Sequence, residues 1–152
     1  MITRRDVGIA IATAVCTGAL LTAGAAQKAV MGPRAIAWDS LKVETTKIGA
    51  RRQVFQEPTA TLDELEMHIT TLNPGEWPHP PHTHPDEELI IVKEGNIESI
   101  LEGKTTPLGP GGIIFHASKH PHTVKNTGST PATYYVIKWN SPGMLKARQD
   151  SK

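Results

Sequence analysis

The side chains able to do chemistry are crowded into the middle of this chain. All seven histidines lie between positions 68 and 122, and six form two clusters: His79, His82, His84, and His116, His120, His122. Imidazole is the commonest metal-binding side chain, so this crowding points to a metal site before any other chemistry. The first cluster sits in Gly75-Glu76-Trp77-Pro78-His79-Pro80-Pro81-His82-Thr83-His84-Pro85-Asp86-Glu87-Glu88. In an extended chain His82 and His84 project to the same side and can share one ion at about 2.1 Å each. Glu88 has the same parity and adds a hard oxygen donor. The prolines at 78, 80, 81 and 85 fix φ and remove backbone donors, which leaves the loop less entropy to lose when it holds ligands.

The remaining histidines have blander readings. His79 belongs at the rim. His120, before Pro121, reads as exposed. His116 occupies a strand position from which it can support a ligand, and His68 lies on the polar face of another strand. Asp86 shares parity with Glu88 but stands close to the prolines. Trp77, Phe115, Tyr134, Tyr135 and Trp139 read as packing residues. A proline- and histidine-rich run can also be an exposed metal-buffering loop, but the separate His122 argues for a fixed site.

The elements that must carry these residues are short. The 152 residues fit one domain. Thirteen glycines and twelve prolines suit many short strands better than long helices. Candidate strands are 51–56, 65–72, 87–93, 96–101, 104–108, 113–116, 123–126 and 132–139, separated by Asn-Pro-Gly, Gly-Asn and Gly-Pro-Gly-Gly breaks. Along Leu65–Leu72 the apolar face of Leu65, Met67 and Ile69 is expected to meet the core. Glu66, His68 and Thr70 would then face solvent or line a pocket.

The N-terminus reads as an address. Residues 1–26 carry Arg4-Arg5 before an uncharged Ala-, Gly- and Thr-rich run that ends in small residues. This resembles a twin-arginine export signal and places the protein in the periplasm or outside the cell. Removing the segment takes away Cys16, the one cysteine, together with two basic residues and one acidic, so the formal net charge falls from +1 to 0. No basic run marks a nucleic-acid surface, and no membrane attachment is expected once the signal is cleaved. The chain thus divides into the signal, a lead-in over 27–50 anchored by Trp38, a barrel over 51–140 and a polar tail over 141–152. Pairing of two copies through the lead-in is a further expectation.

At Gly75, His82-Thr83-His84, Glu88 and Gly95, followed by Pro110-Gly111-Gly112, His122 and Asn126, the chain resembles the cupin family over about residues 65–140. The spacer from Gly75 to His82 is one residue longer than usual. Gly112 stands where Asp is common, and Ala117 and Lys119 stand where Pro and Gly usually precede the second-motif histidine. The resemblance implies an all-β jelly-roll barrel with His82, His84, Glu88 and His122 converging on one divalent transition metal: Fe, Mn, Ni, Co or Zn. It also implies open coordination positions, hence a metal-dependent enzyme for a small oxygen-rich substrate, of dioxygenase, decarboxylase, isomerase or lyase type. Glu88 is then a ligand that can also exchange protons, with His116 or His68 as its candidate proton partner. The competing expectations are a non-catalytic module that binds a sugar acid or small carboxylate through the metal, and a metal that only stabilises the barrel. No Cys nucleophile, phosphate loop or Gly-x-Ser-x-Gly elbow offers a different chemistry.

Overall fold

The computed structural model describes residues 29–144. The expected signal at 1–26 and the end of the tail lie outside this range. Among the described residues there are nine strands and one 3-10 turn at Trp38–Ser40. The strands are β1 (Glu44–Thr46), β2 (Gly49–Glu57), β3 (Glu64–Leu72), β4 (Glu87–Glu94), β5 (Ile97–Leu101), β6 (Lys104–Leu108), β7 (Ile113–His116), β8 (His122–Asn126) and β9 (Ala132–Asn140). No helix among the described residues is long and apolar enough to cross a membrane.

All pairings are antiparallel. One sheet runs β1-β2-β3-β9-β4-β7 and the other runs β6-β5-β8. Their inner faces meet in a core of Leu72, Ile90, Val92, Ile97, Ile114, Val124, Ala132, Tyr134 and Val136. Each of these has the parity that strand pairing assigns to the interior. His68 opposes Val136, Ile90 opposes Val136 and Ile114, and Ser99 opposes Val124.

For β3 that register bears out one of the two readings of its polar face, a pocket lining rather than solvent, and corrects the reading of its apolar face. The face of Glu66, His68, Thr70 and Leu72 points into the barrel, and Glu66 and His68 are buried. Leu65, Met67 and Ile69 share the other side of the sheet, beside Trp139, Ile137 and Tyr135; Leu65 and Met67 are only half-buried there, whereas Ile69 is buried as expected. Phe115 and Trp77, expected to pack inside, are instead 50% and 40% exposed.

The larger sheet begins within the lead-in, at Glu44. The Trp38 ring lies 4.7 Å from the Arg52 guanidinium and 4.6 Å from the Lys93 ammonium, within cation–π range. Arg34 forms a two-pronged pair with Glu57, both contacts at 2.8 Å.

Two positions in the turns need particular backbones. Gly95, between β4 and β5, has φ 78°, and a Cβ there would stand 2.6 Å from Ala132 Cα and 2.7 Å from Pro131 O. Only glycine tolerates both the left-handed conformation and the approach. Lys119 adopts φ 65°, so a non-glycine residue takes the left-handed turn where the resembling family uses glycine. Its N–H donates to His84 O at 2.8 Å, and Ser118 Oγ donates to Pro85 O at 2.7 Å. These contacts tie the loop before β8 to the loop that carries His84.

Candidate metal centre

The site is assembled where the proline-rich loop runs beside β8. Gly75 N donates to Asn126 O and Asn126 N to Glu76 O at one end; His82 and His122 exchange backbone bonds of 3.2 and 3.0 Å at the other. Thr123 Oγ1 ties the middle to His79 O at 2.8 Å. The loop therefore behaves as an irregular extra strand, and the cross-strand pairing sets the His82 ring 4.9 Å from that of His122. Asn126 is fully buried and holds the base of this arrangement. Its Nδ2 donates to Leu72 O and Thr130 O, both at 2.9 Å, and its Oδ1 accepts from Gly128 N at 2.9 Å.

His84 and His122 meet head to head, with their Nε2 atoms 3.1 Å apart. Each ring's other nitrogen faces a backbone carbonyl: His84 Nδ1 donates to Asp86 O at 3.0 Å and His122 Nδ1 to His120 O at 2.8 Å. A carbonyl only accepts, so both Nδ1 atoms carry protons. Between the two facing Nε2 atoms there is then room for a proton or a metal ion, and two bare lone pairs would repel. Nitrogens on adjacent positions of an octahedral ion, with bonds of about 2.1 Å, lie about 3 Å apart. The carbonyls beyond the rings fix tautomer and orientation as ligand histidines require. The residues present therefore fit a divalent metal.

Glu88 enters from β4, opposite His116 on β7 and Lys138 on β9. His116 Nδ1 donates to Glu88 Oε1 at 2.7 Å, and Glu88 Oε2 lies 3.8 Å from His84 Nε2. Burial alone would raise the Glu88 carboxyl, but the hydrogen bonds and charges of His116 and His84 outweigh it and hold the group below its ordinary range. His122 is pushed down to about 4, first by burial and then by His116 and His84. His82 is lowered too, by burial and by His79 and His84. Both imidazoles are thus neutral near pH 7, the form that binds metal.

The ligand atoms form two overlapping groups, His82-His84-His122 and Glu88-His116-His122, each with its atoms within 4.8 Å of one another. His116 is more than a supporting residue in this geometry. Its ring stacks on His122 with centroids 3.9 Å apart, and its Nε2 is buried without a hydrogen-bond partner. His79 stands at the rim, its ring edge-on to His82 at 3.8 Å. His120 is exposed and pairs with Glu102 at 2.6 Å. Asp86 is buried and reaches His84 Nδ1 with a carboxylate oxygen only at 3.9 Å.

These side chains open onto a cavity of ≈ 390 Å³, at the small end of ligand sites. Arg51 and Lys138, which the sequence analysis did not name, line the same cavity, and Glu66 lies beside them. Glu66 accepts from Arg51 Nη2 and His68 Nδ1 at Oε1 and from Lys138 Nζ at Oε2, each at 3.0 Å. Tyr134 also lines the cavity, and burial pushes its hydroxyl pKa well up. Strand parity was the available signal: once the polar face of β3 is turned inward, Glu66 follows, and its cross-strand neighbour Lys138 with it.

With this geometry in place, residues 68–138 match the family model described as the cupin domain. The barrel is a cupin jelly roll. A crystal structure of an RmlC-like cupin from Shewanella frigidimarina superposes with a TM-score of 0.60 at 14% identity, covering 76% of this chain and 96% of that one; this likeness concerns the fold alone. Two curated proteins share shorter stretches. Dimethylsulfoniopropionate lyase DddQ of Ruegeria pomeroyi is 36% identical over 64 residues, 41% of this chain and 31% of that protein. The HTH-type transcriptional activator RhaS of Mannheimia succiniciproducens is 34% identical over 62 residues, 41% of this chain and 23% of that protein. The matches therefore span under a third of either relative.

Proposed function

We propose that the protein is a metal-dependent enzyme of the lyase or isomerase kind that acts on a small oxygen-rich substrate, with His82, His84, Glu88 and His122 as ligands of one divalent metal. The observation that carries this reading is the 3.1 Å approach of His84 Nε2 to His122 Nε2, both rings fixed by backbone carbonyls, at the edge of a cavity of ≈ 390 Å³. A metal bound there would polarise a substrate carbonyl or carboxylate and so acidify a neighbouring C–H. The likeness to a lyase over 64 residues favours the same class of chemistry.

The chain's own part is to hold and move protons. His116 donates to Glu88 through Nδ1 at 2.7 Å, so the two form one unit, with a proton on His116 and a carboxylate beside the cavity. A Glu88 carboxylate not engaged as a ligand could take a proton from substrate and return it, with His116 holding the carboxylate in place.

The test loads the protein with Fe(II), Mn(II), Co(II), Ni(II) or Zn(II) and follows loss of α-hydroxy, keto and β-substituted carboxylates by NMR. Turnover with at least one metal, lost in His122→Ala and reduced at least tenfold in His116→Phe with metal content unchanged, is expected. Saturable binding without turnover under every metal would instead support a non-catalytic binding module, the reading that the likeness to a transcriptional activator favours. Export is part of the proposal: residues 1–26 act as a twin-arginine-like signal, and a reporter fused to them should be exported only when Arg4 and Arg5 are intact. So is pairing of two copies, tested by the mass of the protein in solution.

A further inference from the structure

We infer that Arg51 and Lys138, on the sheet that also carries Glu88, form a carboxylate-binding subsite beside the metal centre, so that the ligand of this cavity carries two anionic ends. Both residues line the same cavity as His82, His84, Glu88 and His122. They reach it from separate strands: Arg51 on β2 opposes Thr70, and Lys138 on β9 opposes both Glu66 and Glu88. Two permanent cations on the inside of a small barrel need a reason, because charge taken from water costs free energy unless it is paired.

Glu66 supplies only part of the pairing. It is one carboxylate, buried, shared by Arg51, Lys138 and His68 at 3.0 Å each. Counting formal charges, the Arg51–Lys138–Glu66 group retains one net positive charge. Donors also remain. The hydrogen bonds of the Arg51 guanidinium run through Nη2 alone, to Gln53 and Glu66, although such a group offers five N–H donors in a planar fork. Lys138 directs one contact at Glu66 out of the three that an ammonium can make. Their side chains are 40% and 23% exposed, open enough to meet a ligand and sheltered enough for the contact to matter. Glu66 holds both cations in position and lowers their affinity for anions by competing for them.

This subsite deepens the metal-dependent reading, because one anionic end is assigned to the metal and the other to Arg51 and Lys138. Among the described residues no other pair of inward cations lines this cavity together. Malonate, succinate and glutarate are the probes, each against its monoamide, with acetate as a ligand for the metal end alone.

Calorimetric titration of the metal-loaded protein is expected to show at least one dicarboxylate binding tenfold or more tighter than its monoamide, since a charge-assisted contact contributes about ten- to a hundredfold. Arg51→Gln and Lys138→Gln should each remove that preference while leaving acetate binding and metal content unchanged. Arg51→Lys and Lys138→Arg should restore part of it. Glu66→Gln should strengthen dicarboxylate binding, a gain that no loss of folding imitates. The inference is overturned if every dicarboxylate and its monoamide bind alike, or if the two glutamine variants weaken acetate and succinate equally. Metal-free protein separates this inference from the proposed function. Failure to retain any metal counts against the enzyme reading alone, whereas binding of succinate that depends on Arg51 and Lys138 in the metal-free chain still supports the subsite.

Discussion

Replacing Glu66 by glutamine is expected to destabilise the protein by about 3 kcal/mol at pH 7 and to have almost no effect at pH 2. Burial by itself would raise the Glu66 pKa, but the hydrogen bonds from His68 and Lys138 outweigh it and bring the group from 4.5 down to about 2. At about 1.4 kcal/mol per pH unit, that difference corresponds to about 3 kcal/mol of folding free energy. The sign follows from proton counting. Between pH 2 and 4.5 the unfolded chain carries the proton on this carboxyl and the folded chain does not. Stability contributed by Glu66 is therefore complete above pH 4.5 and is lost as pH falls through that window. Glutamine resembles the protonated acid and has no such window. Urea denaturation of both proteins from pH 2.5 to 7, followed by tryptophan fluorescence, should give curves that converge as the pH falls. Parallel curves across the whole range would refute the idea that the ionised Glu66 cluster stabilises the fold.

Two further predictions concern the turns that shape the site. Gly95→Ala combines a left-handed φ of 78° with a 2.6 Å approach to Ala132 Cα, so it should lower stability by about 2–4 kcal/mol, read as a fall in melting temperature with the metal ligands untouched. Lys119→Gly should do the opposite. It relieves the left-handed backbone at φ 65° and should raise stability by up to about 1 kcal/mol, because part of the relief is offset by glycine's greater freedom when unfolded; a fall in stability would show that Lys119 makes a contribution beyond its backbone.

Much of this was legible in the residues themselves. The candidate strands at 104–108 and 113–116 coincide with β6 and β7, and the other six match their strands to within two residues at either end, because Gly, Pro and Asn punctuate the chain at nearly every turn. β1 was missed: Glu44-Thr45-Thr46 is three exposed polar residues at a sheet edge, with no alternation to read. On β3 the polar face lines the pocket, one of its two expected places, but Leu65 and Met67 of the apolar face do not reach the inner core, for a physical reason. A barrel with a polar cavity turns Glu66 and His68 inward, and its outer surface carries apolar residues such as Met67 and Ile137, so hydrophobicity alone points the wrong way. The pairing of His82 with His84 and the parity of Glu88 could be read from spacing. The arrival of His122 could not, since it depends on a loop running beside β8 and on the left-handed turn at Lys119. The depth of His116 and its bond to Glu88 likewise belong to the β4–β7 register, which no local pattern encodes.

The most direct test of the metal centre is a crystal of the full-length protein, grown with its bound metal and measured at that metal's absorption edge. The account predicts a single anomalous peak per chain between His84 Nε2 and His122 Nε2, within bonding reach of His82 and Glu88, and its disappearance in His122→Ala. A peak confined to the exposed Pro78–Pro85 loop, or no peak in protein shown by elemental analysis to carry metal, would contradict it.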